Sequence, residues 1–347
     1  MTYQVRLWRE LHAHYRGGGL ILGNGTSRAF DARFSYESLY EAAREQGHLD
    51  EEVRSVFEAL ETQDFEQVLR DLGTSARVIN ALGGEATRLN DAYAIVRDAL
   101  ISTVRHVHPN HAQVADQLPA AAAFMRNFRT VASLNYDVLV YWAMLRGNST
   151  SGARHLFKDA FHAGGFDVNW QRFREPLNGE DVTLVCYPHG HLAMIRDQHT
   201  VCRKLRGDGA TPLLESIAQN WEMGVSPVFV SEGTTAMKLS TIACNTYLSV
   251  VQKQILPDLP VHAAVDGAAA ARRTVVFLGW RVQEQDVHIL QALGEPVDSL
   301  AVGVNPRDER LAHEQRRLEA LIRQHCEVRS PFDWFDYQSP GCWIVEE

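Results

Sequence analysis

A chain of 347 residues that is 45% hydrophobic can bury a large core, as two domains or as one α/β domain with an insertion. Its formal net charge of -9 argues against a broad nucleic-acid-binding surface and leaves only local basic patches open. Five scattered cysteines, Cys186, Cys202, Cys244, Cys326 and Cys342, include no C-x-x-C pair, which fits a reducing compartment and excludes a four-cysteine zinc ribbon.

Met1 to His14 is mixed polar and charged, and no apolar window reaches about 18 residues, so the chain reads as cytoplasmic with no membrane span. Residues 3–15 predict a short amphipathic helix or arm. Leu20, Ile21 and Leu22 follow as a buried strand. Gly23, Asn24, Gly25, Thr26 and Ser27 then read as a turn feeding a helix, a layout that aims backbone N–H groups at a phosphate. Arg28 stands where the third glycine of G-x-G-x-x-G would be, so glycines used only for backbone freedom are the competing reading.

Tyr36 to Arg44 has helical apolar spacing through Leu39, Tyr40 and Ala43. From Glu51 to about Phe128 apolar residues recur at three- and four-residue intervals with no strand-like run, which predicts a helical insertion. Beyond it, Thr130 to Leu134, Val182 to Tyr187, Pro227 to Ser231, Thr274 to Leu278 and Leu300 to Val304 are short, largely unalternated runs, as in strands covered on both faces. Helical patterns at Val138 to Arg146, Pro212 to Glu222, Thr234 to Gln254 and Gln285 to Leu293 lie between them.

The expected fold is therefore α/β: a Rossmann-like, doubly wound parallel sheet of about six strands, with a large helical insertion after the first strand. It divides into an arm, first strand and nucleotide turn (1–48), the helical insertion (49–128), the rest of the sheet domain (129–330) and an aromatic C-terminal segment (331–347). Asn148 to Gly152 and Leu177 to Asp181 read as loops.

In such a sheet the ligand crevice lies at the strand C-terminal ends, and polar residues collect where these strands stop. After the glycine turn come Asn135-Tyr136-Asp137, then Pro188-His189-Gly190-His191, then Ser231 to Thr235, then Gly279-Trp280-Arg281, then Asn305-Pro306. The series Gly-Asn-Gly-Thr-Ser, Ser-Leu-Asn-Tyr-Asp, His-Gly and Phe-Leu-Gly-Trp, with Asp286 and His288 close behind and Asp64-Phe65-Glu66 upstream, resembles the sirtuin-like superfamily. It is most similar to bacterial sirtuin-like NAD hydrolases of phage defence. The resemblance runs from about residue 17 to 305 and lacks the zinc module of protein-deacylating sirtuins.

That resemblance implies that Gly23, Gly25, Thr26 and Ser27 hold the NAD pyrophosphate, that Asn135 and His189 do the chemistry, and that Gly279, Trp280 and Asn305 flank the adenosine. The residue types suit the reaction. Cleaving the nicotinamide–ribose bond builds positive charge on ribose C1′, so positioning and water activation matter more than a strong acid. A neutral amide can hold a ribose hydroxyl or a water, and an imidazole can take a proton.

Each residue also has a plainer use. Asn135 can satisfy local backbone as a turn residue, and His189 can be a turn histidine, with His191 competing for any role as base. Asp137 can orient Asn135 or cap the next helix, Asp286 and His288 can touch the adenine side or Asp286 can serve as an N-terminal charge, and Thr234 or Thr235 can cap a helix or meet ribose. His106, His108 and His111, around Pro109, read as a solvated loop rather than a metal site, so no metal is expected. No G-x-S-x-G supports a serine hydrolase. Phe332, Trp334, Phe335, Tyr337 and Trp343 either pack back on the sheet or form an oligomer contact or a cover over the nucleotide.

The sequence thus points to an NAD hydrolase, an antiviral effector consuming NAD as substrate, acting as a homo-oligomer or with an activating protein or phage-derived trigger. The alternatives are a non-catalytic nucleotide-binding assembly module and a protein deacylase or ADP-ribosyltransferase.

Overall fold

The computed structural model describes residues 4–35, 39–149, 154–176, 180–196, 202–206, 212–223, 225–230, 235–261 and 272–344. In chain order, β1 (Val5–Leu7) runs into α1 (Trp8–Tyr15), and β2 (Gly19–Leu22) into α2 (Asn24–Phe30). Then come α3 (Leu39–Glu45), α4 (Glu51–Ala59), α5 (Phe65–Ala81), α6 (Thr87–Val107), α7 (His111–Val114) and α8 (Leu118–Met125). The central part comprises β3 (Thr130–Ser133), α9 (Leu139–Asn148), β4 (His155–Lys158), β5 (Phe161–His162), β6 (Gly165–Phe166), β7 (Asp181–Cys186), β8 (Gly190–Arg196), β9 (Cys202–Lys204), α10 (Leu213–Glu222) and β10 (Ser226–Phe229). It is followed by α11 (Thr235–Ala243), α12 (Thr246–Val250), α13 (Leu256–Asp258), β11 (Thr274–Leu278), α14 (Val287–Ala292), β12 (Ser299–Val304), α15 (Leu311–His325) and β13 (Asp333–Asp336).

Eight strands form one sheet in the order β1-β13-β12-β11-β2-β3-β7-β4, with every neighbouring pair parallel. Its central strands β2, β3 and β11 are buried along their whole length. That is why their apolar residues run on without alternation: helices cover both faces. The chain is α/β and roughly Rossmann-like.

Eight strands replace the expected six. The additions β1, β4 and β13 lie at or next to the sheet edges and carry Arg6, Lys158, Asp333 and Asp336. Charges of this kind blunt an edge and mask its apolar pattern. The run expected from Pro227 is β10, which leaves the parallel sheet and pairs antiparallel with β8 in a second sheet of order β10-β8-β9-β6-β5. Residues 231–234 lie outside the described residues, as do parts of the two expected loops.

The expected arm at 3–15 is strand β1 followed by helix α1, so the helical block comes after the second strand of the chain, β2. Its buried side chains, among them Val53, Phe57, Phe65, Val68, Leu100 and Val104, join one hydrophobic core with the sheet residues. The long helical pattern at 234–254 is broken at Asn245, whose side chain accepts from the Leu248 N–H and starts α12. Among the described residues no helix is long and apolar enough to cross a membrane.

Strand β2 is central. The chain leaves it through α2 and the helical block to β3 on one side, while β11, which arrives much later, pairs on the other. The C-terminal ends of β2 and β11 therefore flank the point where the strand order reverses, the usual place for a ligand crevice in an open parallel sheet.

Candidate functional site

A cavity of about 2230 Å³ opens at that point. Its wall includes Gly23, Asn24, Gly25 and Thr26 from the first turn, Asn135 and Asp137 after β3, His189 after β7, Gly279 and Trp280 after β11, and Asn305 after β12. Strands from across the sheet thus deliver residues far apart in sequence to one hollow.

The first turn is built by close approach of backbones. The Gly25 N–H donates to the Gly279 carbonyl at 2.8 Å, and the Thr26 N–H to the Gly23 carbonyl at 2.9 Å. A Cβ on Gly279 would sit 2.5 Å from Thr26 N, one on Gly23 would sit 2.5 Å from the Trp280 Cα, and Gly279 has φ +65°. Glycine is required here so that the β2 and β11 turns can touch. Two of the N–H groups expected to face a phosphate are consequently engaged within the protein.

Asn135 locks this turn to β3. Its Nδ2 donates to the Gly23 carbonyl at 3.1 Å, to Thr26 Oγ1 at 3.1 Å and to Ser27 Oγ at 2.7 Å. The Ser27 hydroxyl donates in turn to Asp137 Oδ2 at 2.5 Å, and Asp137 Oδ1 accepts from the Leu139 N–H that opens α9. Because Gly23 offers only an acceptor, the amide orientation is fixed and Oδ1 makes none of these bonds. Asp137 thus steadies Asn135 through Ser27; the N-cap position of α9 itself is Val138, and Asp137 only accepts from the first helical N–H two residues on. Burial pushes its carboxyl up to about 6, against the bonds from Ser27 and Leu139. Ser27, by contrast, is buried and does not line the cavity.

His189 sits in a tight turn closed by the Gly190 N–H on the Tyr187 carbonyl at 2.9 Å, and its own carbonyl accepts from Val230 N–H at 2.7 Å. Gly190 has φ +69°, and a side chain there would collide with the Val228 carbonyl of β10. The His-Gly pair is therefore a backbone requirement as well as a side-chain one. The imidazole is 4% exposed, and its Nε2 lies 3.0 Å from Nε2 of His288. Burial, then Lys238, then His288 hold His189 well below its usual range, and burial and Lys238 push His288 down to about 4. Both rings are neutral at neutral pH. The Gln285 backbone opposes the His288 shift, though less than burial and Lys238 drive it.

Behind the two rings, Lys238 on α11 pairs with Asp286 at 2.7 Å, and the Trp280 Nε1–H reaches toward the other Asp286 oxygen at 3.5 Å. Burial alone would raise the Asp286 carboxyl, but Lys238 and the imidazoles outweigh it and hold it low. Asp286 is thus more than the N-terminal charge of α14.

His191 is fully buried outside the cavity, its ring 4.1 Å from that of Tyr187 and its Nδ1 accepting from the Ala193 N–H. Thr235 lines the cavity and donates to the Glu284 carbonyl. Asn305 lines it as well, with Oδ1 accepting from the Arg307 N–H. The reading of His106 to His111 as a solvated loop fails at His108. That ring is 3% exposed, with Nδ1 2.8 Å from the Pro109 carbonyl and Nε2 accepting from the Val138 N–H, and burial pushes it down to about 4. Among the described residues no cluster of three histidine, cysteine or acidic side chains could hold a metal ion.

Of the C-terminal aromatics, Trp334 and Phe335 are buried on β13, while Tyr337 and Trp343 line the cavity. Trp343 Nε1–H donates to the Thr26 carbonyl at 3.0 Å. Lys238 and the pairing of His288 with His189 escaped the sequence reading. The signal was there in part, because Lys238 shares a helix face with buried Thr241 and Ile242, and His288 interrupts the buried run Val287, Ile289 and Leu290. Arg28 and Arg281 also line the cavity, and neither forms an ion pair among the described residues.

The chain belongs to the DUF4917 family, a domain of unknown function, whose family model matches residues 20–343. No curated protein matches it.

Proposed function

We propose that this member of the DUF4917 family is an NAD hydrolase that releases nicotinamide and ADP-ribose. The reading rests on one observation: Asn135, His189 and the glycine turn share a single cavity at the reversal point of a parallel sheet. The sirtuin-like motifs extend the proposal to an effector that drains NAD in infected bacterial cells, held silent until an assembly change or a partner releases it.

In this reading the bond to nicotinamide breaks early, because the leaving group departs neutral and the ribose carries the charge. Water attacks late and needs little basicity, which a neutral, buried His189 can supply. The Asn135 nitrogen is committed to the turn, so its carbonyl oxygen is the atom that would orient a ribose hydroxyl or the water. Arg28 and Arg281 supply positive charge for the diphosphate where the turn amides are already engaged.

A second reading, nucleotide binding without turnover, is favoured by the bond that ties His189 Nε2 to His288. Incubation of the purified protein with NAD, with nicotinamide and ADP-ribose quantified, separates the two. Release that disappears in Asn135→Ala and His189→Ala supports hydrolysis. Bound but intact NAD supports the second reading, and label transferred to protein points to a transferase.

A further inference from the structure

A second hollow, of about 450 Å³, opens on the small antiparallel sheet and shares no lining residue with the large cavity. Arg203, Lys204 and Arg206 line it, and among the described residues no carboxylate does. Lys204 is nearly buried, at 5% side-chain exposure. It is ion-paired with Asp159 behind the wall, and its Nζ is 4.2 Å from the centre of the Tyr141 ring. Burial lowers the Lys204 ammonium, and Asp159 pulls the other way.

Asp159 pairs with Lys204, so the two guanidinium groups on the hollow have no carboxylate partner among the described residues, in a chain whose formal net charge is -9. Arg203 and Arg206 are exposed, and neither side chain forms a hydrogen bond or ion pair among the described residues. The rim is a two-residue turn between β5 and β6 in which Ala163 has φ +50° and Gly164 φ +85°. Positive φ at both positions is what a two-residue hairpin turn requires. The Gly164 carbonyl accepts from the Lys204 N–H at 2.8 Å, which fixes the turn against the cationic strand.

We propose that this hollow is a second anion-binding site, for a small phosphorylated ligand additional to whatever occupies the large cavity. Two guanidinium forks suit phosphate oxygens in paired bonds, while Lys204, neutralised by Asp159, anchors the strand that carries Arg203. The volume falls within the range of about 300–1,000 Å³ common for small-molecule sites.

The test is calorimetric titration of the whole protein with inorganic pyrophosphate in an Arg28→Gln, Arg281→Gln background, which removes the charge proposed for the large cavity, with Arg203→Gln and Arg206→Gln added singly and together. The expected result is binding in that background that weakens about tenfold for each further guanidinium removed. Thermal stability should be unchanged by Arg203→Gln and Arg206→Gln because both side chains are exposed. No binding in the background, or binding that survives the removal of both Arg203 and Arg206, overturns the proposal. Titration with ADP identifies the source. Heat lost on removal of both for ADP as well assigns a nucleotide, and heat lost for pyrophosphate alone assigns an inorganic polyphosphate.

Discussion

His189 and His288 meet Nε2 to Nε2 at 3.0 Å, so one ring must donate the proton that the other accepts. Replacing His288 by Phe keeps a ring in place and leaves the His189 nitrogen buried without a partner. A loss of about 1–3 kcal/mol is expected, read from the urea midpoint at constant slope. An unchanged midpoint would mean that the two rings do not share a proton in solution.

Acid should loosen this fold earlier than its carboxylates alone would. His108, His189, His191 and His288 all titrate below the ordinary 6.5 because burial disfavours their charged form. As pH falls through 6.5 the unfolded chain takes up these protons and the native chain does not, so stability is full above that value and declines toward about 4. Each histidine contributes a slope of at most about 1.4 kcal/mol per pH unit. Asp137 works the other way, since its native carboxyl takes a proton at about 6 while the unfolded one waits until 3.8. Asp137→Asn should therefore steepen the acid decline. Denaturant midpoints measured across this window check both signs, and a flat profile would refute them.

Gly279→Ala should be among the most damaging single-methyl changes in the protein. The added carbon meets Thr26 N at 2.5 Å, and the backbone stands at φ +65°. A loss above about 2 kcal/mol is expected from clash and strain together. Gly47→Ala, also at positive φ but in open space, is the control and should cost less. Equal melting temperatures for the two variants would show that the turns do not touch.

If the protein hydrolyses NAD, His189→Ala should lower nicotinamide release about 100-fold or more. Trp280→Phe, which keeps the ring beside Phe277 and gives up only a long contact to Asp286, should keep most of it. Initial rates over a range of NAD concentrations separate loss of turnover from loss of binding. A His189→Ala enzyme as fast as the wild type would remove the histidine from the chemistry.

The central sheet was legible because β2, β3, β7, β11 and β12 are buried on both faces and read as continuous apolar runs. The edges were not, since β1 and β4 are short and carry Arg6 and Lys158, and a charged residue in a short run looks like a helix or a loop. For the site, a rule about strand ends gathered the polar segments, the sirtuin-like resemblance picked out Asn135 and His189 within them, and both residues do line the cavity. It could not foresee that each would spend polar atoms on the protein itself. The bond from Asn135 to Ser27 spans 108 residues and that between His189 and His288 spans 99, and no local pattern encodes a contact of that reach. Lys238 was hidden for the same reason, because its partner Asp286 comes 48 residues later.

The bond from Trp343 to the Thr26 carbonyl joins positions 317 residues apart, and β1 finds its sheet partner only in β13. During synthesis the glycine turn emerges from the ribosome long before the indole that braces it. The hollow must therefore stay unfinished until that indole has been made, and a chain stopped before it would lack one of its walls. If the chain is the NAD hydrolase proposed above, such late completion would keep nascent and truncated copies inactive.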